Sequence, residues 1–233
     1  MEQIPESEIP MVEKRNRPMI QTWIDALTNP NTEMYAELAQ AENAKTNTAW
    51  LWVFIGALVG AVISSILTAI FGNPAMTQIA SMIGETSAEI PLEQTGIGSI
   101  LIGIVCGAPL GALLGTLFFA LGIVIQNWIA NMFGGEGSLD SFAFVYAAFS
   151  APIGIVTSTL AAIPFVGPLL SGLVGLYSLY LAALTLHVVK RLSWGKAIIV
   201  LLIPLILVAI LFGCLAALLV PIIISSFSNT FGQ

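Results

Sequence analysis

Residues 141–189 read SFAFVYAAFSAPIGIVTSTLAAIPFVGPLLSGLVGLYSLYLAALTLHVV, a stretch without one charged side chain. A helix needs about 20 apolar residues to cross a hydrocarbon core of ~30 Å. The stretch therefore holds two crossings, and Pro164-Phe165-Val166-Gly167-Pro168 supplies the turn between them. Outward from it lie three further uncharged runs, 46–84, 94–135 and 197–233. Beyond Ala49 the chain has only eight charged residues, all at the borders of these runs. The composition agrees, with 57% hydrophobic and 9% charged residues, against roughly 25% charged in a soluble domain. An all-α, polytopic integral membrane protein is expected.

Five spans are predicted: about 49–71, one crossing within 97–133, about 141–163, then 168–189 and about 197–224. The second segment fits badly. As one helix it would be roughly 55 Å long, more than one crossing needs and less than two crossings and a turn. Pro109 is expected to break or kink it, because proline removes a helix hydrogen bond and clashes with the preceding turn. Residues 94–108 are then extended or re-entrant. Pro204 and Pro221 pose a milder form of the problem in the fifth segment. Lys and Arg favour the cytoplasmic side near span ends. With five spans and the N-terminus inside, Lys14, Arg15, Arg17, Lys45, Lys190, Arg191 and Lys196 all share one side, while the loop 72–96 carries Glu85, Glu89 and Glu93. The expected topology places the N-terminus in the cytoplasm and the C-terminus opposite.

Residues 1–47 hold twelve of the twenty charged side chains and read as a polar cytoplasmic arm; 48–233 read as the five-helix transmembrane domain. In the arm, Met19, Ile20, Trp23, Ile24 and Leu27 fall at helical spacing, Asn29-Pro30 interrupts, and a second short helix covers about 32–45. The Trp23 helix has two readings: an interfacial helix on the inner leaflet, or a helix packed on the protein's own cytosolic loops. Met76, Ile79, Ala80 and Ile83 form another amphipathic stretch, read as a surface helix. No cleavable signal is expected, the first apolar run serving as an uncleaved anchor. The net charge of −6 gives no basic surface for nucleic acid. Cys106 and Cys214 lie deep in apolar runs and read as small hydrophobes.

Gly103, Gly107, Gly111 and Gly115 recur every fourth residue, and Gly56, Gly60, Ser64 and Thr68 form a second small-residue stripe. Gly167, Ser171 and Gly175 repeat the idea in the fourth span. Such stripes let helices approach closely, where van der Waals contact replaces the hydrophobic drive that lipid lacks. They read as an oligomerisation or pore-lining surface, or, the favoured reading, as packing of span one on span two. Gly134-Gly135-Glu136-Gly137-Ser138 is no phosphate loop, because no strand precedes it, no lysine follows, and Glu136 and Asp140 repel phosphate. It reads instead as a left-handed glycine ending one helix and Ser138 capping the next. Gln126, Asn127, Tyr146, Ser150, Tyr177 and Tyr180 are the main polar side chains inside the spans and read as interhelical hydrogen-bonding groups worth ~1 kcal/mol each. His187 reads as an interfacial residue, and Trp50, Trp52, Trp128 and Trp194 as an aromatic belt. The spans hold no Asp, Glu, Lys or Arg, the usual makings of a proton relay. One histidine cannot build a His-Glu-x-x-His metal site, and no Ser–His or paired-Asp constellation is present. Neither enzyme chemistry nor a cofactor or metal is expected.

From residue 133 onward the order of motifs is specific: Phe133-Gly134-Gly135-Glu136-Gly137-Ser138, then Tyr146-Ala147-Ala148-Phe149-Ser150-Ala151-Pro152, Ile163-Pro164, Leu176-Tyr177-Ser178-Leu179-Tyr180, His187 to Ser193, and Gly195-Lys196-Ala197. This run, with Thr28-Asn29-Pro30 before the first span, resembles the YIP domain family, membrane proteins first defined as partners of Ypt/Rab GTPases. The resemblance implies a cytosolic N-terminus, five spans and a short tail on the far side. It implies no catalytic residues. The Asp-Leu-Tyr-Gly-Pro type of motif of the eukaryotic members is absent, so GTPase binding is not carried over. The chain looks more like the prokaryotic branch, which implies the plasma membrane of a prokaryote. The expected role is a membrane-organising, trafficking-like or partner-recruiting scaffold, contacting lipid, other membrane proteins or further copies of itself. Trp23, Glu136, Asp140, His187, Lys190, Arg191 and Lys196 are the expected contact residues. The alternative is a small-solute permease or channel, motivated by the glycine stripe and the proline-broken second segment.

Overall fold

The computed structural model describes residues 16–71, 97–163 and 166–231. Lys14, Arg15, the Met76–Ile83 stretch, Glu85, Glu89, Glu93 and residues 94–96 lie outside them. Two short helices come first, α1 (Met19–Thr28) and α2 (Thr32–Ala39). Asn29 and Pro30 separate them, and Asn31 caps α2 by accepting a hydrogen bond from the Met34 amide at 2.7 Å. The first span is α3 (Thr46–Phe71). The second comprises α4 (Ile97–Ile102), a π-helical turn at Gly103–Gly107 and α5 (Ala108–Met132). The third, fourth and fifth are α6 (Leu139–Ala161), α7 (Val166–Val189) and α8 (Trp194–Phe231). Four of these stretches, Thr46–Ile70, Gly103–Met132, Leu139–Ala161 and Val166–Val189, are long and apolar enough to cross a membrane, and Trp194–Ile210 adds a further apolar helix. The chain is an all-α, polytopic membrane protein.

Pro109 does not break the second span. The Ala108 amide bonds back to the Gly103 carbonyl, five residues away. That wider turn makes room for a ring which would otherwise collide with the carbonyl four residues earlier. Helix continues through the proline, and no re-entrant loop forms over the described part of 94–108.

Successive spans run antiparallel, which brings Thr46, Met132, Leu139, Val189 and Trp194 together at one end of the bundle, hereafter the Lys190 end. The core is concentrated there. Phe142, Phe144, Val145, Phe149, Leu181, Leu184 and Leu186 are fully or almost fully buried, whereas Leu169, Leu173 and Leu176, farther along α7, are exposed. Trp52 packs on Phe144 with ring centroids 4.7 Å apart, and Tyr146 on Phe149 at 4.8 Å. The small residues of span one serve span three. A Cβ on Gly56 would stand 2.9 Å from the Ala151 carbonyl oxygen, and one on Gly60 2.6 Å from Ser158 Oγ. By contrast, Cβ atoms on Gly103, Gly107 and Gly111 would meet nothing within 4 Å, and one on Gly115 only Ala57, at 4.0 Å.

Candidate functional site

The arm helices share one hydrophobic cluster with the spans. Of the two readings of the Trp23 helix, packing on the protein is the one observed, but against membrane helices rather than cytosolic loops. Thr22 and Ala26 of α1 and Tyr35 and Leu38 of α2 are fully buried, with Trp23 and Leu27 packed beside them. The Tyr35 hydroxyl donates to the Ala26 carbonyl at 3.1 Å, and burial, the larger cause, pushes its pKa up. At the open end of the hairpin the Arg17 guanidinium pairs with the Asp25 carboxylate at 3.4 Å and with that of Glu37, while Asn43 Nδ2 donates to the Arg17 carbonyl at 2.9 Å.

The hairpin reaches far along the bundle. The Tyr177 hydroxyl donates to the Leu27 carbonyl at 2.5 Å. Tyr177 lies twelve residues before Val189, about 18 Å along the helix, so the turn between α1 and α2 sits beside the middle of span four. The other wall is α6, which spans only about 35 Å. The hairpin thus packs along the first half of α6 and the second half of α7.

At the Lys190 end two loops lock together. Gly134 takes φ +89°, the left-handed conformation that glycine adopts freely, and Ser138 caps α6 by accepting from the Ser141 amide at 3.1 Å. The Glu136 amide donates to the Lys190 carbonyl at 3.2 Å. The Lys190 side chain is buried, and its ammonium donates to Asn131 Oδ1 at 3.2 Å and to the Gly137 carbonyl, 5.7 Å from the centroid of the Phe142 ring. Desolvation holds its pKa below the usual lysine value. Lys196 Nζ donates to the Phe133 carbonyl at 3.1 Å. Arg191, at φ +54°, pairs with Glu136 at 3.7 Å on the exposed side. Asp140 accepts from the amide and hydroxyl of Thr46, tying the start of span one to that of span three. His187 stacks on Trp194 at 4.6 Å, with Nδ1 2.6 Å from the Leu192 carbonyl, which places the proton on Nδ1. Between these loops and α2 lies a cleft of about 450 Å³ lined by Gln40, Glu136, Ser138, Ser141 and Arg191 among others.

The structure thus gathers Glu136, Asp140, His187, Lys190, Arg191 and Lys196 at one end, with Trp23 on the adjoining hairpin. The intramembrane polar residues divide. Tyr177 and Tyr180 stack at 6.4 Å beside the hairpin, Gln126 and Tyr146 line a separate void, and Asn127 Oδ1 is buried without a partner among the described residues. Sequence reasoning missed Arg17, Tyr35, Asn43 and Asn131 as partners. Asn131, a polar residue one turn before the glycine stop, was the one available signal. Among the described residues no cluster of His, Cys, Asp and Glu could hold a metal ion.

No curated protein and no solved structure matches the chain. Among protein families, the model of the Yip1 domain matches residues 24–227, a range that takes in most of the arm hairpin together with the spans. With its membrane-crossing helices, this places the chain in the Yip1 domain family.

Proposed function

We propose that the protein is a non-enzymatic, multi-pass scaffold of a prokaryotic plasma membrane that recruits partners at its Lys190 end. Residues 1–47 and the Lys190 loops face the cytoplasm, and the C-terminus faces the opposite side. The observation that carries the reading is the architecture of that end: two loops fixed to one another by backbone and buried-lysine hydrogen bonds, presenting Glu136 and Arg191 beside a polar cleft. Arg191 adds to it. A non-glycine residue held in the left-handed region costs of order 1 kcal/mol or more, and such strain clusters at functional sites. The surface ion pair with Glu136 is too exposed to repay that cost.

Photo-crosslinking in native membranes tests the proposal. A crosslinking residue at Arg191 should give a discrete protein adduct that the same residue at lipid-facing Leu117 does not. Lipid adducts alone at both positions would refute recruitment. Purified protein in liposomes should pass no solute selectively. Selective flux abolished by Gly107→Leu and Gly111→Leu would replace the scaffold with a permease.

A further inference from the structure

Between spans two, three, four and five lies a second void, of about 390 Å³. Its wall includes Gln126 of α5, Tyr146 of α6 and Leu205 and Val208 of α8, and no charged side chain. Gln126 is only 6% exposed, and neither its amide nor the Tyr146 hydroxyl has a hydrogen-bond partner among the described residues. Both side chains line the void with hydrogen-bonding capacity that a polar group entering it can take up. Pro204, also in the wall, has no amide proton for the Val200 carbonyl one turn earlier.

The polar groups sit at one end of this void. Gln126 lies six residues from Met132 and Tyr146 seven from Leu139, so both are about 10 Å in from the Lys190 end. Val208, fourteen residues beyond Trp194, lies about 21 Å in. The void therefore runs along the membrane normal, polar at the shallower end and hydrocarbon at the deeper. Leu205 and Val208 stay about half exposed although they line the void, and Gly122 leaves its wall there without a side chain. A molecule dissolved in the bilayer can pass in sideways.

We infer that this void is a binding site for a neutral lipid carrying a free hydroxyl and a long hydrocarbon chain, as in a diacylglycerol or a long-chain alcohol. The hydroxyl donates to and accepts from Gln126 and Tyr146, and the chain lies along Leu205 and Val208. The lining offers no cation for a phosphate. The site is separate from the Lys190-end face and does not depend on partner recruitment.

The test uses full-length protein in nanodiscs with three benzophenone probes: a diacylglycerol, a long-chain alcohol and a phosphatidylcholine. The first two should label saturably, with adducts mapping to the walls of the void, and their competition with unlabelled lipid should tell which source is preferred. Tyr146→Phe keeps the ring and removes the hydroxyl, and Gln126→Leu removes the amide; each should weaken labelling by about tenfold, the usual worth of a buried hydrogen bond. Gly122→Leu should abolish labelling while preserving the fold, since a Cβ there meets nothing within 4 Å. Equal labelling by phosphatidylcholine, indifferent to Gln126→Leu and Tyr146→Phe, would reduce the site to a slot for any acyl chain and overturn the inference. So would the absence of saturable labelling by every probe.

Discussion

At the scale of single residues, the Lys190 end depends on groups with no room to change. A Cβ on Gly137 would collide with the Val189 carbonyl, whereas one on Gly122 meets open space. Gly137→Ala should therefore lower the stability of detergent-purified protein by about 1–3 kcal/mol, with Gly122→Ala as a near-neutral control; thermal-shift midpoints would show whether the two differ. Lys190 gives a pH signature. Its pKa is lower in the native state than in the unfolded chain, so the unfolded chain binds more protons over the interval between the two values. Stability contributed through this group rises with pH across that interval and is flat at its lower value below it. Wild type should thus gain on Lys190→Met as the pH rises towards about 10.4, the ordinary value of the unfolded lysine. A constant difference would mean that the ammonium is not desolvated. The roles of Gly134 and Ser138 were legible in the sequence because capping and left-handed turns are local. The burial of Lys190 was not, because its partners, Asn131 at the end of α5 and Gly137 in the loop after it, are more than fifty residues away.

At the scale of elements, the arm hairpin is the main feature that periodicity alone misplaces. Spacing gave α1 an apolar face, and a break at Asn29-Pro30, but nothing in a ten-residue pattern says whether that face meets lipid or protein. The hydrogen bond that ties it to the bundle comes from Tyr177, 150 residues away, while Arg17 fastens the hairpin to itself. Thr22 is fully buried under the hairpin. In a Cys106→Ser, Cys214→Ser background, Thr22→Cys should react slowly with maleimide, and adding Arg17→Ala with Tyr177→Phe should speed it roughly tenfold, for about 1.4 kcal/mol of lost closure. An unchanged rate would show that the apolar face alone holds the hairpin shut. The glycine stripe shows the opposite limit. Its spacing was plain in the sequence, yet the close approach is made by Gly56 and Gly60 to span three, since only the folded bundle decides which small residue faces which helix.

At the scale of the whole molecule, the all-α polytopic architecture was legible because charge-free runs of this length have few other uses. Their mutual packing was not, because apolar residues look alike to a pattern whichever neighbour they meet. Sidedness is testable separately from packing. Cysteines introduced at Arg191 and after Phe231 should react with an impermeant reagent from opposite faces of sealed vesicles; reaction from the same face would remove the five-crossing topology proposed above. The depth of the arm also constrains biogenesis. Residues 19–39 leave the ribosome before any of the spans, but the groove that receives them is completed only when the segment through Val189 has been synthesised and inserted. Until then the hairpin has neither Tyr177 nor the walls of α6 and α7 to lean on, and it must wait as an exposed amphipathic segment. Closing the 19–39 hairpin into the bundle is therefore among the last steps of assembly, and truncation before span four should leave a nascent chain whose hairpin is open to proteases and chaperones.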